Sequence, residues 1–334
     1  MRHRILEVAG LLALSVLVAL ATAWGVLALY YFDLDSARLR TILAALFGLF
    51  GCAALLGVGL QRWRRRALTG FALAFASLLV WWGTIAPSNE RDWKPGVAVL
   101  PYATYNGNRI TIHHIRNFDY RSETDFTAAY YDRTVALEAL ESVDLIASYW
   151  GNPAIAHVIV SFGFGDGAQV AISIERRDER DEDYSIVKGL FKQYELFYVV
   201  ADERDVVRLR TTIRNPPEQV YLYRVRGTRE NARRLFMAYL QKIDSLREHP
   251  EFYNTLTTNC TTNAWLHARI NPDHVPLSWK ILLSGYVPEY LYESGRLDTS
   301  LPFPELQRRS LIEPTDPDAD FSRLIRARLP RYAE

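Results

Sequence analysis

Residues 157–175, HVIVSFGFGDGAQVAISIE, form two apolar runs separated by a short polar turn. β-Branched and aromatic residues on both sides of Gly165-Asp166-Gly167 predict a β-hairpin. A three-residue loop pairs Phe164 with Ala168, and the same register places His157 opposite Glu175, with both side chains on one face. A slip of one residue would put Arg176 there instead, so the pairing depends on the turn.

Outward from the hairpin, the pattern predicts a mixture of strands and helices. The expected strands are 97–102, 109–115, 156–164, 169–175, 196–200, 206–212 and 220–225. Helical periodicity covers 134–149 and 229–249, the second with Thr228 as N-cap and Pro250 as its stop. Because strands and helices are grouped rather than strictly alternating, we expect an α+β domain.

Three apolar runs precede this domain, at 5–31, 41–60 and 67–87, each long enough to cross a bilayer. Arginines lie before the first run and between the second and third, which places the N-terminus in the cytoplasm and everything after residue 87 outside. We therefore expect a multi-pass protein of the bacterial inner membrane with a periplasmic C-terminal domain. The expected division is an anchor at 1–87, a domain at 88–300 and a tail at 301–334, whose stretch 321–329 is a basic amphipathic helix against lipid or a surface helix.

Charge and motifs exclude several function classes. The anchor holds 8 of the 39 Lys and Arg and 3 of the 38 Asp and Glu, which leaves 31 basic and 35 acidic residues outside it. This slight acidic excess argues against a nucleic-acid partner. There is no His-Glu-x-x-His or Cys-x-x-Cys motif and no glycine-rich phosphate loop, so we expect neither a metal nor a cofactor.

Cys260 is the one cysteine outside the apolar runs, and it precedes a short predicted helix at 261–270. A thiol at a helix N-terminus is biased toward thiolate by the helix dipole. Asn259 and the threonines before it are turn and capping residues, poor surroundings for an inert core thiol. The alternative is a small buried hydrophobe, the usual role of a free cysteine.

A nucleophilic cysteine needs a base, and histidine suits neutral pH. His267 is two helical turns beyond Cys260, too far to reach its sulfur. His113 and His114 are neighbours on a strand, so one of the two could be reached. His157 is the preferred base, and Glu175 would orient its ring as the third member. The alternative for Glu175 is a solvated charge at the edge of the sheet.

Several blocks together resemble a known family. They are Ala156-His157, SFGF at 161–164, AISIERR at 171–177, Tyr184-Ser185, Gly189-Leu190-Phe191, YELFYVVADERDVVRLR at 194–210 and PEFYNTLTTNCTTN at 250–263. Over most of residues 95–295 the chain is similar to the DUF4105 family, the periplasmic domain of the Lnb-type lipoprotein N-acyltransferases. The resemblance implies a thiol enzyme of permuted papain-like or NlpC/P60-like fold, in which the histidine strand precedes the cysteine helix.

By that resemblance Cys260 is the acyl-accepting nucleophile and His157 its base, with Asn259 and Asn263 as oxyanion or supporting residues. The implied reaction moves a fatty acyl chain from a phospholipid through a Cys260 thioester to an amine, such as the N-terminus of a lipoprotein. Two other functions stay open. One is a cysteine peptidase or amidase that cleaves cell-wall peptides with the same dyad, and the other is a non-catalytic envelope scaffold.

Overall fold

The computed structural model describes residues 2–32, 36–314 and 320–329. The chain forms two compact units, which we name the helical unit (Met1–Ser88 with Tyr184–Gln193) and the large unit (Asn89–Asp183 with Tyr194–Glu334). The sequence division at residue 87 did not assign the segment 184–193 to the anchor. Residues 315–319 and 330–334 of the expected C-terminal tail lie outside the described residues.

The helical unit contains three helices that are long and apolar enough to cross a membrane. They are α1 (Arg2–Tyr30), α2 (Ala37–Gly59) and α3 (Arg64–Thr84). Small residues allow the helices to approach closely, and a Cβ on Gly51 would lie 2.3 Å from the side chain of Thr22. The three expected apolar spans are therefore present as helices.

The large unit is built on one sheet with the strand order β1-β2-β9-β8-β7-β6-β10, and β5 pairs with β2 outside this path. All its strand pairs are antiparallel except β2 with β9. The separate pair β3 and β4 forms a small second sheet. The strands are β1 (Tyr102–Asn106), β2 (Arg109–Arg116), β3 (Asp119–Tyr120), β4 (Phe126–Thr127), β5 (Tyr130–Ala136), β6 (Leu140–Tyr149), β7 (Ala156–Phe164), β8 (Gln169–Arg177), β9 (Glu195–Ala201) and β10 (Gln219–Arg224).

Helices cover both faces of this sheet. Phe162 of β7 packs with Phe236 on one face, and Ile159 of β7 packs with Val206 and Phe321 on the other. The helices are α4 (Glu203–Arg208), α5 (Arg229–Glu248), α6 (Cys260–Ala268), α7 (Trp279–Leu282), α8 (Val287–Glu293), α9 (Phe303–Ser310) and α10 (Phe321–Leu324). The mixed α+β class is confirmed.

Most predicted elements are present with bounds close to those expected. The hairpin of β7 and β8 is confirmed with its three-residue loop, since the Phe164 N–H donates to the Ala168 carbonyl at 2.9 Å. Its predicted register is also confirmed, because Ile159 pairs with Ser173. Helix α5 begins after the Thr228 cap as expected.

Three predicted elements are wrong. The helix expected at 134–149 is the end of β5 followed by β6, a central strand with apolar residues on both faces. The strand expected at 206–212 is the end of α4 and a π-helix at Leu209–Ile213. The strand expected at 97–102 is mostly loop, because a 3₁₀ turn occupies Pro95–Val97 and β1 begins only at Tyr102.

The C-terminal stretch 321–329 packs into the large unit rather than lying on its surface. Only Phe321–Leu324 is helical, and Phe321 and Ile325 are buried in the core. Arg326 forms ion pairs with Asp144 at 2.8 Å and Glu203 at 2.6 Å. Neither the lipid-facing nor the simple surface helix describes this segment.

Candidate active site

Cys260 is the first residue of α6, and Asn259 caps that helix. The Asn259 Oδ1 accepts hydrogen bonds from the N–H groups of Thr261 at 3.0 Å and Thr262 at 2.9 Å. In return the Asn259 N–H donates to Thr262 Oγ1 at 2.9 Å, which completes a capping box. The thiol therefore sits in the first helical turn, where the helix dipole favours a negative charge.

Both asparagine amides near the thiol are used to hold the start of the helix. The Asn259 Nδ2 donates to the Thr255 carbonyl at 2.7 Å, and the Asn263 Nδ2 donates to the Asn259 carbonyl at 3.2 Å. These contacts give both asparagines a supporting role, and each amide nitrogen carries a second N–H besides the one it donates here. The Cys260 N–H makes no hydrogen bond among the described residues, which leaves it for an oxyanion.

His157 lies at the start of β7, just beyond the last pair of the β7–β8 ladder. Its Nε2 contacts Ser173 Oγ at 2.6 Å and Glu175 Oε1 at 3.3 Å, so the predicted meeting of His157 and Glu175 is present. The imidazole also lies close enough to the Cys260 thiol to lower the pKa of that thiol.

The electrostatics of the site favour a thiolate and an imidazolium. Burial lowers the pKa of His157, but the Glu175 charge and hydrogen bonds to Cys260 and Glu175 outweigh it and raise this pKa to about 9. Burial raises the pKa of Cys260, yet the hydrogen bond and charge of His157 and the Val158 N–H outweigh it and lower this pKa. Both pKa shifts favour the thiolate–imidazolium pair over the neutral pair.

Glu175 is held as a carboxylate by several partners and is not a solvated edge charge. Burial raises its pKa, but the charge and hydrogen bond of His157, together with Arg210 and Ser173, hold this pKa well below its usual range. The Ser173 hydroxyl donates to Glu175 Oε1 at 2.7 Å, and Arg210 Nη2 donates to the same oxygen at 3.1 Å. The carboxylate can thus orient the ring and balance its positive charge.

Ser173 and Arg210 belong to the site although the sequence reasoning did not name them. Ser173 precedes Glu175 by two residues on one strand, so the hairpin register already placed it on the same face. Arg210 has a side chain only 4% exposed and lies on the π-helix. The strand predicted at 206–212 gives no indication that the Arg210 side chain reaches Glu175.

The other candidate bases lie elsewhere. His113 Nδ1 pairs with Asp132 at 2.6 Å, and the His114 Nδ1 lies 2.9 Å from the Leu100 carbonyl oxygen. His267, in the last turn of α6, has its Nε2 at 2.7 Å from the Tyr198 hydroxyl, and burial lowers its pKa to about 4. Among the histidines with described side chains, His157 is the one that lowers the pKa of the thiol.

This arrangement can perform acyl transfer. A thiolate attacks a carbonyl carbon, an adjacent imidazolium protonates the leaving group, and a carboxylate fixes the imidazole. Within the described residues no group of three or more His, Cys, Asp or Glu side chains could hold a metal ion.

Comparisons with known proteins agree with the resemblance noted in the sequence. The family model described as Lnb N-terminal periplasmic domain matches residues 126–285. Cys260, His157 and Glu175 all lie within the matched residues. A search of curated proteins and a search of solved structures gave no match.

Proposed function

We propose, from the membership of residues 126–285 in the Lnb N-terminal periplasmic domain family, that this chain is a membrane-anchored thiol acyltransferase of the cell envelope. Its donor is a phospholipid and its acceptor an amine, such as the N-terminus of a lipoprotein. One observation carries the proposal: His157 contacts Glu175 at 3.3 Å and lowers the pKa of the Cys260 thiol. A nucleophile, a base and an orienting group in contact are what acyl transfer requires.

In the first half-reaction the Cys260 thiolate attacks an ester carbonyl carbon of the phospholipid and a carbon–sulfur bond forms. The Cys260 N–H at the start of α6 donates to the developing oxyanion. The ester carbon–oxygen bond then breaks, and the His157 imidazolium gives its proton to the departing oxygen. The products are a Cys260 thioester, a lysophospholipid and a neutral His157.

In the second half-reaction a neutral amine attacks the thioester carbonyl. His157 removes a proton from the amine nitrogen as the carbon–nitrogen bond forms and the carbon–sulfur bond breaks. The amide leaves, and Cys260 and His157 return to the thiolate and imidazolium states. No oxidant, metal or other co-reactant is needed for this balance.

Exposed apolar side chains near the thiol favour a lipid substrate over a polar wall peptide. Leu277, Trp279, Leu282 and Leu283 are all exposed, Trp279 by 57%. Their segment is tied to the cysteine helix, because Thr261 Oγ1 donates to the Ile281 carbonyl at 2.7 Å. Such a concentration of exposed apolar surface is typical of a site that binds apolar molecules.

A second exposed apolar segment adjoins the first. Trp150 and Ile155 are 45% and 39% exposed, and Ile155 precedes His157 by two residues. The Gly285 N–H donates to the Ala154 carbonyl at 3.0 Å, which joins the two segments. Apolar side chains therefore flank both the thiol and its base.

The finer features of the fold and location belong to the same proposal. The histidine strand β7 precedes the cysteine helix α6 in the chain, the order of a permuted papain-like or NlpC/P60-like domain. The three apolar helices and the family support a membrane-anchored envelope protein. We place the protein in the bacterial inner membrane, with its N-terminus in the cytoplasm and its large unit in the periplasm.

The test uses the full-length protein in vesicles of phosphatidylethanolamine. Intact-mass measurement should show an acyl adduct on Cys260 that hydroxylamine removes, and a synthetic diacylated lipopeptide should then gain one acyl chain. Cys260→Ala must abolish both products, whereas Cys52→Ala, which removes the other cysteine, must leave them unchanged.

Three results would overturn the proposal. The first is a folded protein that forms no adduct on Cys260 with any phospholipid supplied. The second is the release of new wall-peptide termini by the wild type but not by Cys260→Ala, which would establish the peptidase. A cellular phenotype that Cys260→Ala rescues in full would establish the scaffold.

A further inference from the structure

An apolar cavity of about 130 Å³ lies along the cysteine helix. Thr261, Ala264 and Ala268 of α6 line one side, and Val158 of β7 lines another. Since residues 261, 264 and 268 are three and four apart, they share a face of α6. At a rise of 1.5 Å per residue, the part of α6 that forms this wall is about 10 Å long. It begins one residue after Cys260.

The wall of this cavity presents hydrocarbon because its polar atoms are bound elsewhere. Trp265 Nε1 donates to the Val275 carbonyl at 2.9 Å, and the Tyr290 hydroxyl donates to the Pro276 carbonyl at 2.8 Å. The Asp144 carboxylate is paired with arginines. Such a cavity excludes polar ligands and accepts apolar ones.

Tyr239 also lines the wall, and its side chain is 1% exposed. Burial raises the pKa of Tyr239, and so does the charge of Cys260.

The cavity is connected to the reacting sulfur through two wall residues. Val158 follows the base His157 directly in the chain, and its side chain lines the cavity. Thr261 follows Cys260 directly and lines the same cavity. An acyl group on the sulfur therefore begins beside the wall to which Val158 and Thr261 contribute.

A second cavity of about 150 Å³ extends this space. The two share six wall residues, and the second also reaches the polar residues Asn271 and Asp273 beyond the end of α6. The shared residues are Val143, Val225, Leu235, Ala268, Val275 and Leu291. Together the two cavities follow α6 from its thiol end to its far end as one track, which is apolar along the first cavity and is bordered by polar and charged residues in the second.

We propose that this track binds the fatty acyl chain carried by Cys260 and limits the length of chain that reacts. The inference rests on the proposed acyltransferase function and adds the binding site for its hydrophobic substrate. Apolar cavities of about 150 Å³ in other proteins hold a benzene-sized ligand, so each cavity takes several methylene groups. A long chain must therefore occupy the whole track, whereas a short chain needs only its first part.

The test measures the rate of Cys260 acylation by phosphatidylethanolamines with eight-carbon and sixteen-carbon chains, using the full-length protein in detergent. Ala268→Phe fills the far part of the track and should lower the ratio of long-chain to short-chain rate about tenfold or more. The matched control is Leu266→Phe, because Leu266 lies on the same helix but is 43% exposed and outside both walls. The control should leave the ratio unchanged.

A variant that enlarges the cavity controls for the possibility that Ala268→Phe only impairs folding. Leu291→Ala enlarges the space shared by both cavities and should raise the ratio of long-chain to short-chain rate. Melting temperatures of all variants are measured in parallel. A folded Ala268→Phe protein and a folded Leu291→Ala protein that both keep the wild-type ratio would overturn the proposal.

A binding measurement separates this proposal from the proposed function. A palmitic acid carrying a diazirine is irradiated with the Cys260→Ala protein, and the labelled peptides are identified by mass spectrometry. Labelling of 261–268 and 287–293 that Ala264→Trp suppresses supports the track, even if the wild type never acylates Cys260. Acylation of wild-type Cys260 without labelling of those peptides would support the acyltransferase function and contradict the proposal that the track binds the acyl chain.

Discussion

The two ends of α6 place two histidines in opposite electrostatic settings. At the N-terminal end, His157 lies beside Cys260, and its Nε2 is 2.6 Å from the Ser173 hydroxyl. His267 belongs to the last turn, and its Nε2 is 2.7 Å from the Tyr198 hydroxyl. Burial lowers the pKa in both places, yet the pKa of His157 rises to about 9 and that of His267 falls to about 4.

The difference between the two histidines comes from the charges around them. Glu175 contacts His157 and stabilises its cation, whereas the positive charge of Lys242 acts against a cation on His267. Burial without a carboxylate gives a neutral structural histidine, and burial with one gives an acid–base group. The position of one carboxylate thus separates a reactive end of α6 from a structural one.

The largest expected effect comes from removing each histidine in turn. His157→Ala should lower the rate of Cys260 acylation by about 10³- to 10⁴-fold, because the base and the partner of the thiolate are both lost. His267→Ala should leave the rate within about tenfold, since that imidazole bonds to a tyrosine rather than to the thiol. Mass spectrometry of the thioester measures the acylation rate of both variants. Equal losses would contradict the assignment of different roles to the two histidines.

Glu175→Gln should lower the acylation rate by about 10²-fold. It should also lower the alkaline limit of the rate, which is the pH above which the rate declines. The imidazolium is present below the His157 pKa of about 9 and is lost as the pH rises through that value. Without the Glu175 charge this pKa falls, so the decline in rate should begin at lower pH. A pH–rate profile records the shift.

The control for Glu175 is Glu251→Gln, because Glu251 is paired with Lys242 at 2.5 Å, away from the thiol. Its alkaline limit should match that of the wild type. An unchanged limit in Glu175→Gln would show that this carboxylate does not set the charge of His157.

Ser173→Ala should reduce the acylation rate about fivefold, in keeping with the loss of a hydrogen bond worth about 1 kcal/mol. The hydroxyl bridges His157 and Glu175, so its loss leaves the ring less firmly oriented. The counterpart is Tyr198→Phe, which removes the hydroxyl beside His267 and should change stability but not rate. A rate loss in Tyr198→Phe equal to that in Ser173→Ala would contradict the assignment.

The smallest expected effect concerns the cap of α6. Asn259→Ala removes the side chain that accepts from Thr261 and Thr262, and it should lower the free energy of unfolding by about 1 kcal/mol. Denaturant titration of the full chain in detergent measures the loss. Hydrogen exchange should increase at the Cys260 end of α6 and not at the His267 end, whereas uniform exchange would show that the cap acts on the whole helix.

Local sequence signals predicted the hairpin and the cysteine helix well, and three other segments poorly. The turn at Gly165–Gly167 fixed the register that brings His157 to Glu175. In β6, apolar residues on both faces of the strand include a set at the spacing of an amphipathic helix. The spacing of apolar residues therefore predicted a helix where the structure has a strand. In α4, Val206 and Val207 favoured a strand, although Asp202 was an available N-cap and does accept from the Arg204 N–H.

The sequence by itself determined the three apolar helices, the α+β class, the hairpin register and the placing of Cys260 at a helix start. These features depend on residues within a few positions of one another, where spacing and turn chemistry act directly. Only the tertiary structure decided which histidine meets the thiol, that Arg210 holds Glu175, and that an apolar track adjoins the sulfur. Those features depend on distances between segments far apart in the chain, because hydrogen bonds and charges act through space and not through sequence.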